Sequence, residues 1–173
     1  MQTEIWDILD ECGNPTGRTT LRGNYSFKKG EYHLVVHIWI VSPDGRFLIQ
    51  RRSENKKLMP GEWAATGGAA KAGEDSFCAA SRELYEELGI KSDKKSLTFL
   101  KRIKRRNSFL DVWVIKTDIP AENLTLQQSE VAEAKWVSEQ VLKQMIENNQ
   151  YHNYGNEYFS AVFGGIASSR GKI

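Results

Sequence analysis

Residues Gly68 to Ile90 read GAAKAGEDSFCAASRELYEELGI, and the rest of the chain is organised around them. From Asp75 to Leu88 there is no Gly or Pro, Ala, Leu, Glu and Arg predominate, and Asp75-Ser76 follow Gly73 as a capping pair. That composition predicts a helix, which Gly89 ends. On it Glu83, Glu86 and Glu87 fall at i, i+3 and i+4, stacking three carboxylates on one face. Phe77, Ala80, Leu84 and Leu88 line a neighbouring stripe that can bury. Carboxylates so placed repel and raise one another's pKa unless a cation intervenes, and hard oxygen ligands at this density suit Mg²⁺ or Mn²⁺. A bare ExxEE is more often a solvated acidic face, with Arg82 in a local ion pair. The upstream loop shifts the balance, because Gly67-Gly68 and Gly73 let the backbone approach a ligand closely and Glu74 has the reach to brace the loop against Arg82.

By spacing, the stretch is Gly68, five residues, Glu74, seven residues, Arg82-Glu83, apolar Leu84, one residue, Glu86-Glu87, one residue, Gly89 and apolar Ile90. It resembles the Nudix box at every specified position, and so many fixed positions recur by chance only on the order of 10⁻⁸ per window. Tyr32 to Trp63, YHLVVHIWIVSPDGRFLIQRRSENKKLMPGEW, is similar to the isopentenyl-diphosphate isomerase-like branch of that superfamily, including its PGxW lead-in at Pro60 to Trp63. Thr66 stands where many relatives carry proline. The resemblance spans roughly Glu4 to Ile146 and implies an α/β fold, an α/β/α sandwich with a mixed central sheet, as a single Nudix domain over residues 1–173.

For the site, the resemblance implies metal ligation by Glu83, Glu86 and Glu87, with the Gly67 carbonyl as a further ligand and Arg82 orienting a carboxylate. The general base is either a box glutamate or a glutamate from a later loop, for which Glu130 is the candidate. True isomerases of the branch use a catalytic cysteine just ahead of the box glycine and a histidine just after it. Gly67 and Ala69 stand there instead. Of the isomerases' metal-binding histidine pair only His33 has a counterpart, the earlier position holding Ser26. The expected activity is therefore Mg²⁺-dependent hydrolysis of a diphosphate linkage in a nucleoside diphosphate joined to another moiety. The alternatives are an isomerase-like enzyme and a non-catalytic nucleotide sensor. The intact box and the lack of a helix-turn-helix segment count against the sensor.

Outward from this stretch, His33 to Val41 (HLVVHIWIV) is apolar on both faces and reads as a central, covered strand. Leu34, Val36, Ile38 and Ile40 share one face. The other carries His37 and Trp39, candidates for substrate contact, against the plainer reading that each is core. Ser42 to Gly45 is a turn, and Arg46 to Arg52 returns as the hairpin partner. Arg51 and Arg52 face opposite ways, so at most one serves the site, and Arg51 is the candidate. Glu4 to Leu9 reads as a short strand, Arg18 to Gly30 as an irregular loop, Leu97 to Arg106 and Phe109 to Lys116 as a strand pair, and Glu130 to Val137 as the closing strand. Ser138 caps an amphipathic helix, and Tyr158, Phe159, Val162 and Phe163 suggest a docked helix before a frayed end.

A chain of 173 residues with 40% apolar residues, five Trp and seven Phe can fill one core. The net charge of +2 demands no nucleic-acid partner. The run KRIKRR, Lys101 to Arg106, reads as a solvated edge strand rather than an RNA-binding segment. Cys12 and Cys78 have no metal or redox spacing, and no apolar run resembles a signal peptide or a membrane span. The expectation is a cytoplasmic enzyme of a small-molecule diphosphate, with no membrane partner, nucleic acid unfavoured, and a homodimer open.

Overall fold

His33–Val41 forms the central strand, β3, and its two faces carry the two halves of the core. The computed structural model describes residues 4–24 and 26–169. Because side chains alternate along a strand, Leu34, Val36, Ile38 and Ile40 pack against Ala79, Ala80, Leu84 and Leu88 of helix α1 (Ser76–Leu88). Trp39, with Val35 beside it, joins a second cluster with residues of α2 (Glu139–Glu147) and α3 (Asn156–Ser169). One helix on one face of the sheet and two on the other make the α/β/α sandwich.

The first strands, β1 (Ile5–Leu9) and β2 (Pro15–Leu21), form a separate antiparallel hairpin. The main sheet holds β3 with β4 (Phe47–Arg52), β5 (Trp63–Ala64), β6 (Thr66–Ala69), β7 (Leu97–Lys104), β8 (Ser108–Lys116) and β9 (Val131–Val137). Its order is β5-β4-β3-β8-β7, with β6 also paired to β3 and β9 to β4. It is mixed, since β3 and β8 run parallel while the other pairs are antiparallel. Among the described residues, no helix is long and apolar enough to cross a membrane. The frayed end expected beyond α3 lies outside the described residues.

One edge of β3 is shared. β4 pairs with it only at Ile40↔Leu48 and Val41↔Phe47, after which β6 takes over from Ile38↔Thr66 to Val35↔Ala69. The sheet forks where β4 peels away, and the functional residues gather at this fork. Gly67 makes the handover possible: with φ at 155°, a Cβ on it would lie 2.1 Å from the Val36 carbonyl oxygen. The glycine therefore serves strand packing as well as any approach to a ligand.

Two expectations are corrected here. The segment read as an irregular loop from Arg18 onward is strand through Leu21; β2 is exposed almost throughout, so no apolar alternation marked it. Trp39 is core rather than a substrate contact. It is 2% exposed and lies among Phe47, Tyr151, Tyr158 and Phe163. Its Nε1 donates to the Tyr158 hydroxyl at 2.9 Å, and that oxygen lies 2.8 Å from His37 Nδ1. Since the hydroxyl accepts from the indole, its own proton goes to His37, which is then a neutral acceptor at Nδ1. Burial agrees, pushing the His37 pKa down to about 3. Tyr158→Phe orphans both buried partners and should cost about 1–3 kcal/mol in urea denaturation. An unchanged midpoint would show that the hydroxyl contributes nothing.

Candidate active site

Helix α1 is fixed at both ends. The Asp75 side chain caps it by accepting from the Cys78 N–H at 2.7 Å, and Gly89 closes it in the left-handed conformation. Its last carbonyls are satisfied from outside: Thr125 N–H donates to Leu88 O and Gln127 N–H to Glu87 O, both at 3.1 Å. These bonds dock the loop before β9 on the helix end and bring Glu130 towards the carboxylates.

Arg82 ties the loop to the helix with all five of its N–H donors. Nε and Nη2 bind Glu74 at 2.6 and 2.9 Å, Nη1 binds Glu83 at 2.8 Å and Glu86 at 3.0 Å, and Nη2 also reaches the Ala69 carbonyl at 3.1 Å. Burial alone would depress the Arg82 pKa, but the hydrogen bonds and charges of Glu74 and Glu83 carry it above the ordinary value. Glu74 braces the loop as expected from its spacing, and also accepts from the Lys71 N–H at 2.9 Å.

The three box carboxylates have different surroundings. Glu86 is exposed and pairs with Arg82 and with Lys71. Glu83 is largely buried, and a Cβ on Gly68 would sit 2.4 Å from its Oε1, so the loop backbone lies directly on this carboxylate. Desolvation raises its pKa, against the Arg82 charge that lowers it. Glu87 is 3% exposed. Its Oε2 accepts from the Gln50 amide at 2.8 Å and from the Gly67 N–H at 3.4 Å, both neutral donors. Desolvation and the neighbouring Glu83 charge push its pKa up to about 8. Thr66 hydroxyl donates to Gln50 Oε1 at 3.0 Å, which turns the amide NH₂ towards Glu87. The threonine that departs from the usual proline thus has a local role.

Among the described residues, no three His, Cys, Asp or Glu side chains converge as a ready-made metal cluster. The arms of Arg82 and Lys71 occupy the oxygens that a cation would take. The donor set nevertheless suits a hard divalent ion: carboxylate oxygens only, beside a loop of bare backbone, with Glu87 buried among neutral donors.

These residues line a cleft of about 1180 Å³. Of the residues singled out from sequence, Gly67, Arg82, Glu83, Glu86, Glu87, Glu130 and His37 border it. Arg51 does not. It turns away to Glu54 at 3.2 Å and Glu133 at 3.4 Å, while Arg52 faces the cleft. The two residues face opposite ways, as alternation along β4 requires, and Arg52 rather than Arg51 takes the cleft side. Glu130 is ion-paired to Lys56. The opposite wall, missed from sequence, comes from the start of the C-terminal region: His152 and Tyr154, facing Arg105. His152 is placed by its N–H, which donates to Trp63 O at 2.7 Å, and by Glu62 at 2.7 Å from its Nδ1. Gln50 had a legible signal, a lone amide in the apolar run FLIQ.

The NUDIX domain model matches residues 31–156. An uncharacterised Nudix hydrolase of Listeria monocytogenes is 37% identical over 152 residues, 87% of this chain and 89% of that protein. An isopentenyl-diphosphate Delta-isomerase of Kocuria rhizophila is 30% identical over 156 residues, 83% of each chain. The crystal structure of DR0079 from Deinococcus radiodurans superposes with a TM-score of 0.75 at 22% identity, covering 91% of this chain and 97% of that one. With the matched segment spanning fork, box helix and cleft, the chain belongs to the Nudix hydrolase family.

Proposed function

We propose that this enzyme hydrolyses a diphosphate linkage in a nucleoside diphosphate joined to another moiety, with Mg²⁺, or Mn²⁺, held by Glu83, Glu86, Glu87 and the Gly67 carbonyl. The observation that carries the reading is Glu87, a buried carboxylate at the floor of a large cleft whose hydrogen-bond donors are all neutral. A bound divalent ion supplies charge neutralisation at the phosphates and lowers the pKa of a water. The chain supplies the rest. Arg82 holds Glu83 and Glu86 in place, Gln50 orients Glu87, and Arg52, which has cleft access, offers a fork for phosphate oxygens. Glu130 borders the same cleft and is the candidate to take a proton from water, with Lys56 balancing its charge. The side-chain-free Gly67 and the methyl of Ala69 offer no acid or base for moving a double bond.

Two adjacent phosphoryl groups give the metal its largest transition-state advantage, so nucleoside diphosphate compounds should turn over and the matching monophosphates should not. In ¹⁸O-water the label should appear on a phosphate product. Label confined to the organic fragment, or equal turnover of mono- and diphosphates, would overturn the reaction. Formation of dimethylallyl diphosphate from isopentenyl diphosphate above the no-enzyme control would instead restore the isomerase.

A further inference from the structure

Arg105 lies where β7 turns into β8, its N–H donating to Ser108 O at 2.8 Å. Its guanidinium borders the main cleft and also a second cavity of about 550 Å³ between β7 and the start of α3. Tyr154 borders both as well, so the two spaces meet at this pair. The second cavity is basic: Lys101, Arg102, Lys104 and Arg105 line it against one acid, Glu157. Most of that charge is already used or solvated. Arg102 is bound bidentately to Asp111 at 2.7 and 2.8 Å, Lys104 lies over the Tyr32 ring and reaches the Glu11 carbonyl, and Lys101 is exposed. Arg105 differs. It is half-buried, no described carboxylate pairs with it, and Tyr154 and Tyr158 line the second cavity with it. Burying a cation without a counter-charge is costly, and the cost is recovered when an anion arrives.

The surroundings are preformed. The Tyr154 ring centroid lies 4.8 Å from His37, 4.7 Å from His152 and 4.8 Å from Tyr158, and its hydroxyl accepts from Ala65 N–H at 3.3 Å. This gives a fixed aromatic wall and a guanidinium in the same cleft as the α1 carboxylates.

We infer that Arg105 and Tyr154 form a second anion subsite, which receives a phosphate or other anionic group on the part of the substrate beyond the diphosphate. The inference rests on the hydrolase reading for which molecule enters, but the subsite exists independently of the chemistry. Substrates carrying such a second anionic group, for example a nucleoside with a phosphate on its ribose as well as the diphosphate, are then preferred over those without one. The basic run from Lys101 to Arg106 finds its use here, as the rim of a small-molecule site.

The test is calorimetric binding, in the absence of divalent cations, of adenosine 3′,5′-bisphosphate and of adenosine 5′-monophosphate to the full chain, to Arg105→Gln and to Arg106→Gln. Arg106 is exposed and provides the same loss of charge next door. The wild-type protein should bind the bisphosphate about tenfold more tightly, Arg105→Gln should bind both alike, and Arg106→Gln should behave as wild type. Four results overturn the inference: equal wild-type affinities, a preference that survives Arg105→Gln, an equal loss in Arg106→Gln, or no binding of either nucleotide. A short oligoribonucleotide that binds more tightly than the bisphosphate through Arg105 would replace the small-molecule subsite with an RNA contact. A chain that shows the preference yet hydrolyses no diphosphate keeps the subsite and loses the proposed reaction.

Discussion

Glu87→Gln is expected to stop turnover while making the fold more stable. The activity loss follows from removing the buried carboxylate proposed as a metal ligand, for which about 10³-fold in kcat/KM corresponds to the few kcal/mol that a cation contributes at phosphorus. The gain in stability follows from burial. The Glu87 pKa stands at about 8 in the folded chain against 4.5 for an ordinary glutamate. Below pH 4.5 both native and unfolded chains hold the proton, and the side chain's contribution is fully favourable. As pH rises from there to about 8 the unfolded chain releases the proton and the native chain keeps it, so stability falls by at most about 1.4 kcal/mol per pH unit. Glutamine has no proton to lose. The gap between variant and wild type should therefore be small at pH 5 and wide at pH 8 in urea denaturation with chelator present. Near-normal turnover would remove Glu87 from the metal site, and a variant less stable than wild type at pH 8 would show that the fold stabilises the ionised carboxylate instead of raising its pKa.

Arg82→Leu should be the most damaging single change to stability, by about 3–5 kcal/mol, because it leaves Glu74, Glu83 and Glu86 without the cation they share. Arg82→Lys keeps a charge but loses the planar fork that binds Glu74 through two nitrogens, and should recover only part of the loss. Combining Arg82→Leu with Glu74→Gln should be less harmful than the separate costs added, since one of the stranded charges is gone. Denaturation of the wild type, Arg82→Leu, Arg82→Lys, Glu74→Gln and the double variant decides this. Additive costs would mean that Arg82 acts through side-chain packing and not through the carboxylates.

The box helix, its caps and the brace from Glu74 to Arg82 were legible because they depend on local spacing: a helix turns about every 3.6 residues whatever surrounds it. β3 was legible for the same reason, a period of two with both faces apolar. Assigning faces to functions was harder. His37 and Trp39 share one side of β3, yet only His37 borders the cleft, because Phe47, Tyr151 and Phe163 enclose Trp39 while His37 lies beside Tyr154 of the cleft wall. Nothing within the strand records where that enclosure stops. Arg51 and Arg52 face opposite ways, as alternation requires, but alternation alone does not say which of the two meets the cleft, and the structure puts Arg52 there. His152 and Tyr154 were out of reach altogether, since they enter the cleft through a backbone bond between His152 and Trp63, residues far apart in sequence.

The direction of α1 has a consequence for how the chain meets a cation. Peptide dipoles aligned along the helix leave about half a negative charge at its carboxyl end. Glu86 and Glu87 stand in that last turn, which contains no basic residue. A side chain of this sign is ordinarily favoured at the other end of a helix. Backbone and side chains therefore add their negative potentials at one point, facing the cleft, and Arg82 and Lys71 reach across to it from outside the turn. The attraction for a positive ion is in this way part of the polarity of the fold, set when the helix forms.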